Sequence, residues 1–286
     1  MKLDELNRRL ELLNELSSFP PGEIPPSGLR SLSIYGGAQG IFIDKEKTKS
    51  VSPDGLGVTV SVLHTGDFYP AELSDDGLIY HYPNTNRPIS RDRNEVDATK
   101  NAMRLGLPIF VILNGRTQKF RSFKLGWVVD FDDKNEVFLI EFSDEKPVYQ
   151  HIKVDDEFRL VEEKSAKLVH SKSRPDQRRF RYDVVKNYGY KCFVCSASHP
   201  KVLEAAHIRS KGKMGSDDWR NGMILCRNHH AAFDNGLFSI NPETLDVCSI
   251  SDQVRKQINL EEDKLNSLTG RFPHPDALEW KWKKEV

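Results

Sequence analysis

The sequence predicts an α+β protein of two domains: a curled β-barrel-like domain, then a small domain pinned by cysteine and histidine. Three observations carry this. Short strand-like runs punctuated by turn residues fill most of residues 29–160. Two Cys/His pairs at ligand spacing follow between residues 192 and 229. The length, 286 residues, suits two cores better than one.

The elements follow in order. Residues 3–17 read as a helix, with Leu3, Leu6, Leu10, Leu13 and Leu16 spaced for one apolar face. FPPGEIPPSG (Phe19 to Gly28) breaks the chain after this N-terminal helix, which occupies residues 1–20. SLSIY, GIFID, GVTVSVLH, GLIYHY, LPIFVIL, FKLGWVVDF and EVFLIEF read as strands, interrupted by one helix, EVDATKNAMRLG (95–106). The polar stretch at 161–175 reads as a linker. SRPDQRRFRYDVVKNYGY is a helix, with Pro175 near its first turn and Gly189 as its stop. KCFVC, the strand-like VLEAAHI, a loop to Gly222 and a helix carrying two adjacent histidines complete a second domain at 176–250, followed by a helical tail at 251–286.

No apolar run is long enough to cross a membrane, and the charged, helix-periodic start is not a secretory signal, so the expected compartment is the cytoplasm. Net charge is zero, but its distribution is uneven. Lys164 to His230 holds 8 Lys and 7 Arg against 5 acidic residues, a net +10 that leaves −10 elsewhere. A basic segment beside an acidic remainder is a footprint of phosphate contact, although a solvated basic face has the same composition.

Cys192 and Cys195 form C-x2-C; Cys226 and His229 form C-x2-H, with 30 residues between Cys195 and Cys226. Two such pairs match the ligand pattern of a closed tetrahedral structural zinc site. Cys248 is a rival fourth ligand, but LDVCSI reads as a strand with a packed cysteine. His230 lies about 100° further round the helix than His229, so it faces away from a metal held there. Its partner at i+4 is Asp234, and a His–carboxylate pair one turn apart can ligate a divalent ion, though such pairs also occur as surface hydrogen bonds. His207 ends the run VLEAAHI, and Asn221 lies just before the helix.

C-x2-C, LEAAHI, N-x4-C, H and FDNG in this order resemble the HNH nuclease family, whose fold is ββα-metal. The resemblance covers roughly 180–245. It implies His207 as general base, Asn221 as the middle asparagine, and His230 as holder of a catalytic divalent metal (Mg²⁺ or Mn²⁺) with Asp234 as a second ligand. Many members carry an acidic residue or His immediately before the base, where this chain has Ala206; Glu204 lies on the same strand face, about 7 Å back.

GVTVSVLHTGDFYPAELSDDGLIYHYPNTNRP, with the following helix and LGLPIFVIL, is similar to SRA domains, PUA-like barrels that flip a modified cytosine out of DNA. That similarity spans roughly 30–145. It implies Tyr69 and Tyr80 stacking on the flipped base and Glu72 reading its edge, with Tyr82 replacing Tyr80 in another strand register. The bland alternative is that Tyr80 and Tyr82 line a core or cover a face. Arg87, Arg91 and Arg93 are either phosphate contacts or solvated charge.

Together these resemblances imply a modification-dependent restriction endonuclease that cuts double-stranded DNA near a modified cytosine, in defence against modified phage DNA. The rivals are a zinc-stabilised DNA-binding or repair module with a dead nuclease, and an HNH nuclease whose first domain reads another mark, such as a sulfur-modified backbone, or RNA. Double-strand cleavage with one site per chain favours a homodimer, although Leu3 to Leu16 is too short for a coiled-coil seam.

Overall fold

The computed structural model describes residues 2–37, 40–64, 73–161 and 175–285. The chain divides into two units, Met1–Tyr149 and Gln150–Val286. None of the described helices is long and apolar enough to cross a membrane.

The first unit runs through α1 (Lys2–Ser17), α2 (Pro26–Ser31), β1 (Ile41–Ile43), α3 (Lys45–Thr48), β2 (Thr59–Leu63), β3 (Leu73–Ser74), β4 (Gly77–His81) and α4 (Ile89–Leu105). It ends in three consecutive strands, β5 (Ile109–Asn114), β6 (Arg121–Asp132) and β7 (Val137–Phe142). Seven strands form one mixed sheet, in the order β1-β2-β5-β6-β7-β4-β3. Among the described residues only the β2–β5 pair of this sheet is parallel.

This sheet corrects the expected fold. It is open: among the described residues the edge strands β1 and β3 do not pair, so there is no curled or closed barrel. The physical reason lies in β5, where Ile109, Phe110, Val111 and Ile112 are all fully buried. Successive residues of a strand point to opposite faces, so both faces of this sheet need a cover. Ile109 and Val111 pack with Ala102 of α4, whereas Phe110 and Ile112 pack with Leu12 and Leu16 of α1 and Leu29 of α2. A layer of helices on each face does what a barrel interior would otherwise do for one. The resemblance to SRA and PUA-like barrels therefore fails, and with it the identification of a barrel-plus-HNH restriction enzyme.

Two smaller expectations also change. SLSIY is no strand: α2 runs into it, started by Pro26 at the first helical turn, and Ser33 turns the chain with φ 53°. In α1 the expected leucine face is rotated, leaving Leu3 and Leu10 exposed while Glu5, Arg9, Leu12 and Leu16 face inward. The Arg9 guanidinium is completely buried and ion-paired with Glu5 at 2.8 Å. It donates to the carbonyls of Thr59 (2.9 Å) and Pro108 (2.5 Å), satisfying backbone acceptors at the starts of β2 and β5.

The second unit contains α5 (Pro175–Tyr188), β8 (Leu203–His207), β9 (Gly222–Cys226), α6 (Arg227–Asp234), β10 (Phe238–Ile240), β11 (Val247–Ser249), α7 (Asp252–Gln257) and α8 (Pro275–Glu285). β8 and β9 pair antiparallel, with Leu203 opposite Cys226 and His207 opposite Gly222. Their core joins Phe180, Val184 and Tyr188 of α5 to Ile224, Phe233 and, from the C-terminal segment, Leu278. Ile152, Phe158 and Leu160 pack against this same core, so the chain before residue 161 already belongs with the second unit. Most of the expected linker, residues 162–174, lies outside the described residues.

Candidate active site and metal centre

The cysteine–histidine cluster is assembled by two local turns. Cys192 and Cys195 sit in a tight loop tied down by the Cys192 N–H on the Ala197 carbonyl (2.8 Å) and the Phe193 N–H on that of Ile224 (2.9 Å). Cys226 caps α6 in an extended conformation, which places His229 in the first turn beside it. One ligand atom from each of Cys192, Cys195, Cys226 and His229 lies within 4.8 Å of the others. His229 Nδ1 is 3.1 Å from the Cys226 sulfur and 3.6 Å from that of Cys192. Its Nε2 lies 2.9 Å from the Ile258 carbonyl, which puts the ring proton there and leaves Nδ1 as the ligand atom.

The donors fit a structural zinc ion. Four protein ligands close a tetrahedral site. Burial pushes the Cys192 and Cys195 thiols up, so their thiolates need a cation as partner. Burial likewise pushes His229 down, towards the neutral form a ligand requires. Cys248 lies on β11, outside the cluster.

His230, the next residue, has different company. Its Nδ1 lies 2.7 Å from Glu204 Oε2 on β8, and its Nε2 lies 3.6 Å from Asp234 Oδ2. The second separation is too long for a hydrogen bond but within reach of two ligands of one ion. Arg227 donates to the other Glu204 oxygen at 3.2 Å. Ala206 is fully buried in the unit's core, so the acidic contact comes from Glu204, two residues earlier on the same face.

His207 closes β8. Phe180 of α5 stacks on its ring at 3.6 Å between centroids and 9° between planes. Gly222 permits this, because a Cβ there would come within 2.6 Å of the Phe180 ring. Nε2 of His207 lies 2.8 Å from Asp217 Oδ1, and Lys211 donates to Asp217 Oδ2 at 2.6 Å. Asn221, fully buried, ties the intervening loop: its Oδ1 accepts from the Arg209 N–H (3.0 Å) and its Nδ2 donates to the Arg209 and Ser216 carbonyls (3.1 and 2.9 Å).

The expected base-pocket residues are not brought together among the described residues. Tyr69 and Glu72 lie outside them. Tyr80 packs at the edge of the first unit's core, and burial raises its phenol. Tyr82 donates to Asp133 (2.9 Å) with its ring 4.5 Å from Phe138. Arg87 is forked onto Glu95 and Asp92, and Arg91 lies 3.9 Å from Glu95. Asp217, Lys211 and Phe180 carry no sequence signal as site residues, because their contacts depend on how the 208–216 loop and α5 close around β8. Glu204 is visible only as a carboxylate on the right strand face.

Residues 192–241 match the family model described as HNH endonuclease, which covers the cysteine–histidine cluster, His207, Asn221, His230 and Asp234. The match to this model and a Cys3His cluster that could hold a metal ion fall in the same segment. Among solved structures, a "Modification dependent TagI restriction endonuclease" is 18% identical, with 94% of this chain and 94% of that chain covered and a TM-score of 0.35. At that score the two chains are not shown to share a fold. No curated protein matches the chain.

Proposed function

We propose that the second unit is a metal-dependent endonuclease centre that hydrolyses phosphodiester bonds of double-stranded DNA. The observation that carries this reading is the separation of three histidines into three environments within a segment matching HNH endonucleases. His229 faces the thiols, His230 stands between two carboxylates, and His207 is stacked and paired with Asp217.

His207 takes the proton of the attacking water, the role an imidazole with a free ring nitrogen performs as general base. A divalent ion, Mg²⁺ or Mn²⁺, held by His230 and Asp234 would relieve charge on the phosphate and on the leaving oxygen. Asn221 acts through the loop, fixing the backbone from Arg209 to Ser216 behind His207. The net +10 of residues 164–230 supplies phosphate attraction without sequence choice. The zinc cluster orients α6, and with it His230, against β8 and β9.

The finer form of the proposal is that cutting occurs near a modified cytosine. One experiment tests both levels: plasmid DNA carrying cytosine, 5-methylcytosine or 5-hydroxymethylcytosine, incubated with Mg²⁺, Mn²⁺ or EDTA, beside His207→Ala. Metal-dependent cutting lost in the variant supports the nuclease. Its restriction to a modified substrate supports the finer form, and equal cutting of all three removes it. DNA binding without cutting under any condition overturns the nuclease in favour of a binding module.

A further inference from the structure

We infer that Asp217 is a positioning residue for His207, holding the imidazole in the tautomer that leaves Nδ1 as the proton acceptor. This rests on the proposed role of His207 as base and goes further by assigning the accepting atom and the group that selects it. The two residues are ten apart in sequence and their side chains are 14% and 13% exposed. Asp217 Oδ1 lies 2.8 Å from His207 Nε2, while Oδ2 accepts from Lys211. An ionised carboxylate only accepts hydrogen bonds, so the shared proton lies on Nε2 and the lone pair of a neutral ring lies on Nδ1. No hydrogen bond to Nδ1 is made among the described residues.

The surroundings hold this arrangement from several sides. Phe180 stacks on the ring and prevents it from swinging. The loop carrying Asp217 packs so closely that a Cβ on Gly215 would fall 1.7 Å from the Arg209 carbonyl oxygen. Burial by itself pushes the Asp217 carboxyl up, but hydrogen bonds from His207 and Lys211 outweigh it and hold the group below the usual carboxylate range. The other charges on elements packed against β8 have their own contacts: Arg181 of α5 donates to the Leu203 carbonyl, and His230 of α6 meets Glu204. Arg209 donates to the Lys213 carbonyl.

In the reaction the water gives its proton to Nδ1 as its oxygen bonds to phosphorus. The P–O3′ bond breaks, and O3′ takes a proton from solvent. The imidazolium so formed carries a proton on each nitrogen and faces the Asp217 anion through Nε2, so the carboxylate stabilises the charge that develops. Orientation and charge stabilisation together make the pair a His–Asp dyad in the sense known from acyl-transfer enzymes.

The test uses the full-length, zinc-loaded chain with Asp217→Asn, Asp217→Ala and His207→Ala. For both Asp217 variants kcat on plasmid DNA is expected to fall by about 10²–10⁴-fold, with KM nearly unchanged. The acidic limb of the pH–rate profile moves to lower pH, because losing the facing anion makes the imidazolium a stronger acid. Histidine ¹⁵N spectra of the DNA-free protein provide a readout independent of activity: neutral His207 carries its proton on Nε2 in the wild type and becomes a tautomer mixture in Asp217→Ala. Asp217→Asn is nearly isosteric, and its melting temperature and zinc content report folding if Asp217→Ala unfolds. Wild-type kcat and pH profile in Asp217→Asn, or a proton on Nδ1 in the wild type, overturns the inference. Activity surviving His207→Ala instead overturns the base assignment, while the spectra still test the pairing.

Discussion

Glu204 and His230 meet across β8 and α6, with the carboxylate 2.7 Å from Nδ1 and the opposite ring nitrogen directed at Asp234. A histidine that donates its second ring proton to a carboxylate is fixed in orientation and made a better ligand. Glu204→Gln keeps the shape and removes the charge. It should weaken Mn²⁺ or Mg²⁺ affinity by about 10–100-fold, read as a rightward shift in the metal dependence of cleavage with zinc content unchanged. An unshifted metal titration contradicts this role.

The zinc cluster predicts a separate loss. Cys226→Ser removes a thiol ligand at the N-cap position of α6 while keeping a residue that can cap the helix. Wild-type protein should contain one zinc per chain by elemental analysis, and the variant much less. The second unit should melt earlier in the variant, because metal binding free energy at such sites is folding free energy. Full zinc content in the variant would show that the four residues are not the ligand set.

Asn221 should matter for stability before it matters for rate. Its side chain makes three hydrogen bonds to backbone groups from fully buried atoms. Asn221→Ala leaves these groups unpaired, at a cost on the order of 2–3 kcal/mol. Urea denaturation measures that cost, and cleavage kinetics should show a lower kcat as the loop behind His207 loosens.

The first unit carries its own pH dependence. Burial pushes Glu5 up, but hydrogen bonds and charge from Arg8 and Arg9 outweigh it, and its folded pKa is lowered. A depressed carboxylate contributes stability that is present above its unfolded pKa, about 4.3, and lost as pH falls through the folded value. Glu5→Gln should therefore flatten the acid limb of the stability profile. Arg9→Ala leaves the Thr59 and Pro108 carbonyls without this donor and Glu5 with Arg8 alone, for a loss of about 2–4 kcal/mol. Chemical denaturation between about pH 3 and 7 checks both.

What was legible in the sequence depended on how local the cause was. The four ligands of the metal cluster reveal themselves by spacing, because C-x2-C and C-x2-H reflect the geometry of one turn each. The positions of β2, β4, β5, β6 and β7 follow from apolar runs ended by turn residues. That the sheet stays open does not: LPIFVIL marks a strand, while its burial on both faces emerges only when α1, α2 and α4 cover it. In α1 the leucine spacing points to one face and Arg9 selects another, since carbonyls at residues 59 and 108 have no local signature. Asp217 is hidden for the same reason. It lies in a polar loop, and its role exists only when Asn221 and Gly215 fold that loop back on His207.

The central claim is that adjacent histidines serve two different centres, and comparing His229→Ala with His230→Ala tests it most directly. Zinc content, melting temperature and Mg²⁺- or Mn²⁺-dependent plasmid cleavage are measured on both. The account predicts that His229→Ala loses zinc and stability, whereas His230→Ala keeps its zinc and fold but no longer cuts. Wild-type cutting by a zinc-loaded His230→Ala would contradict it.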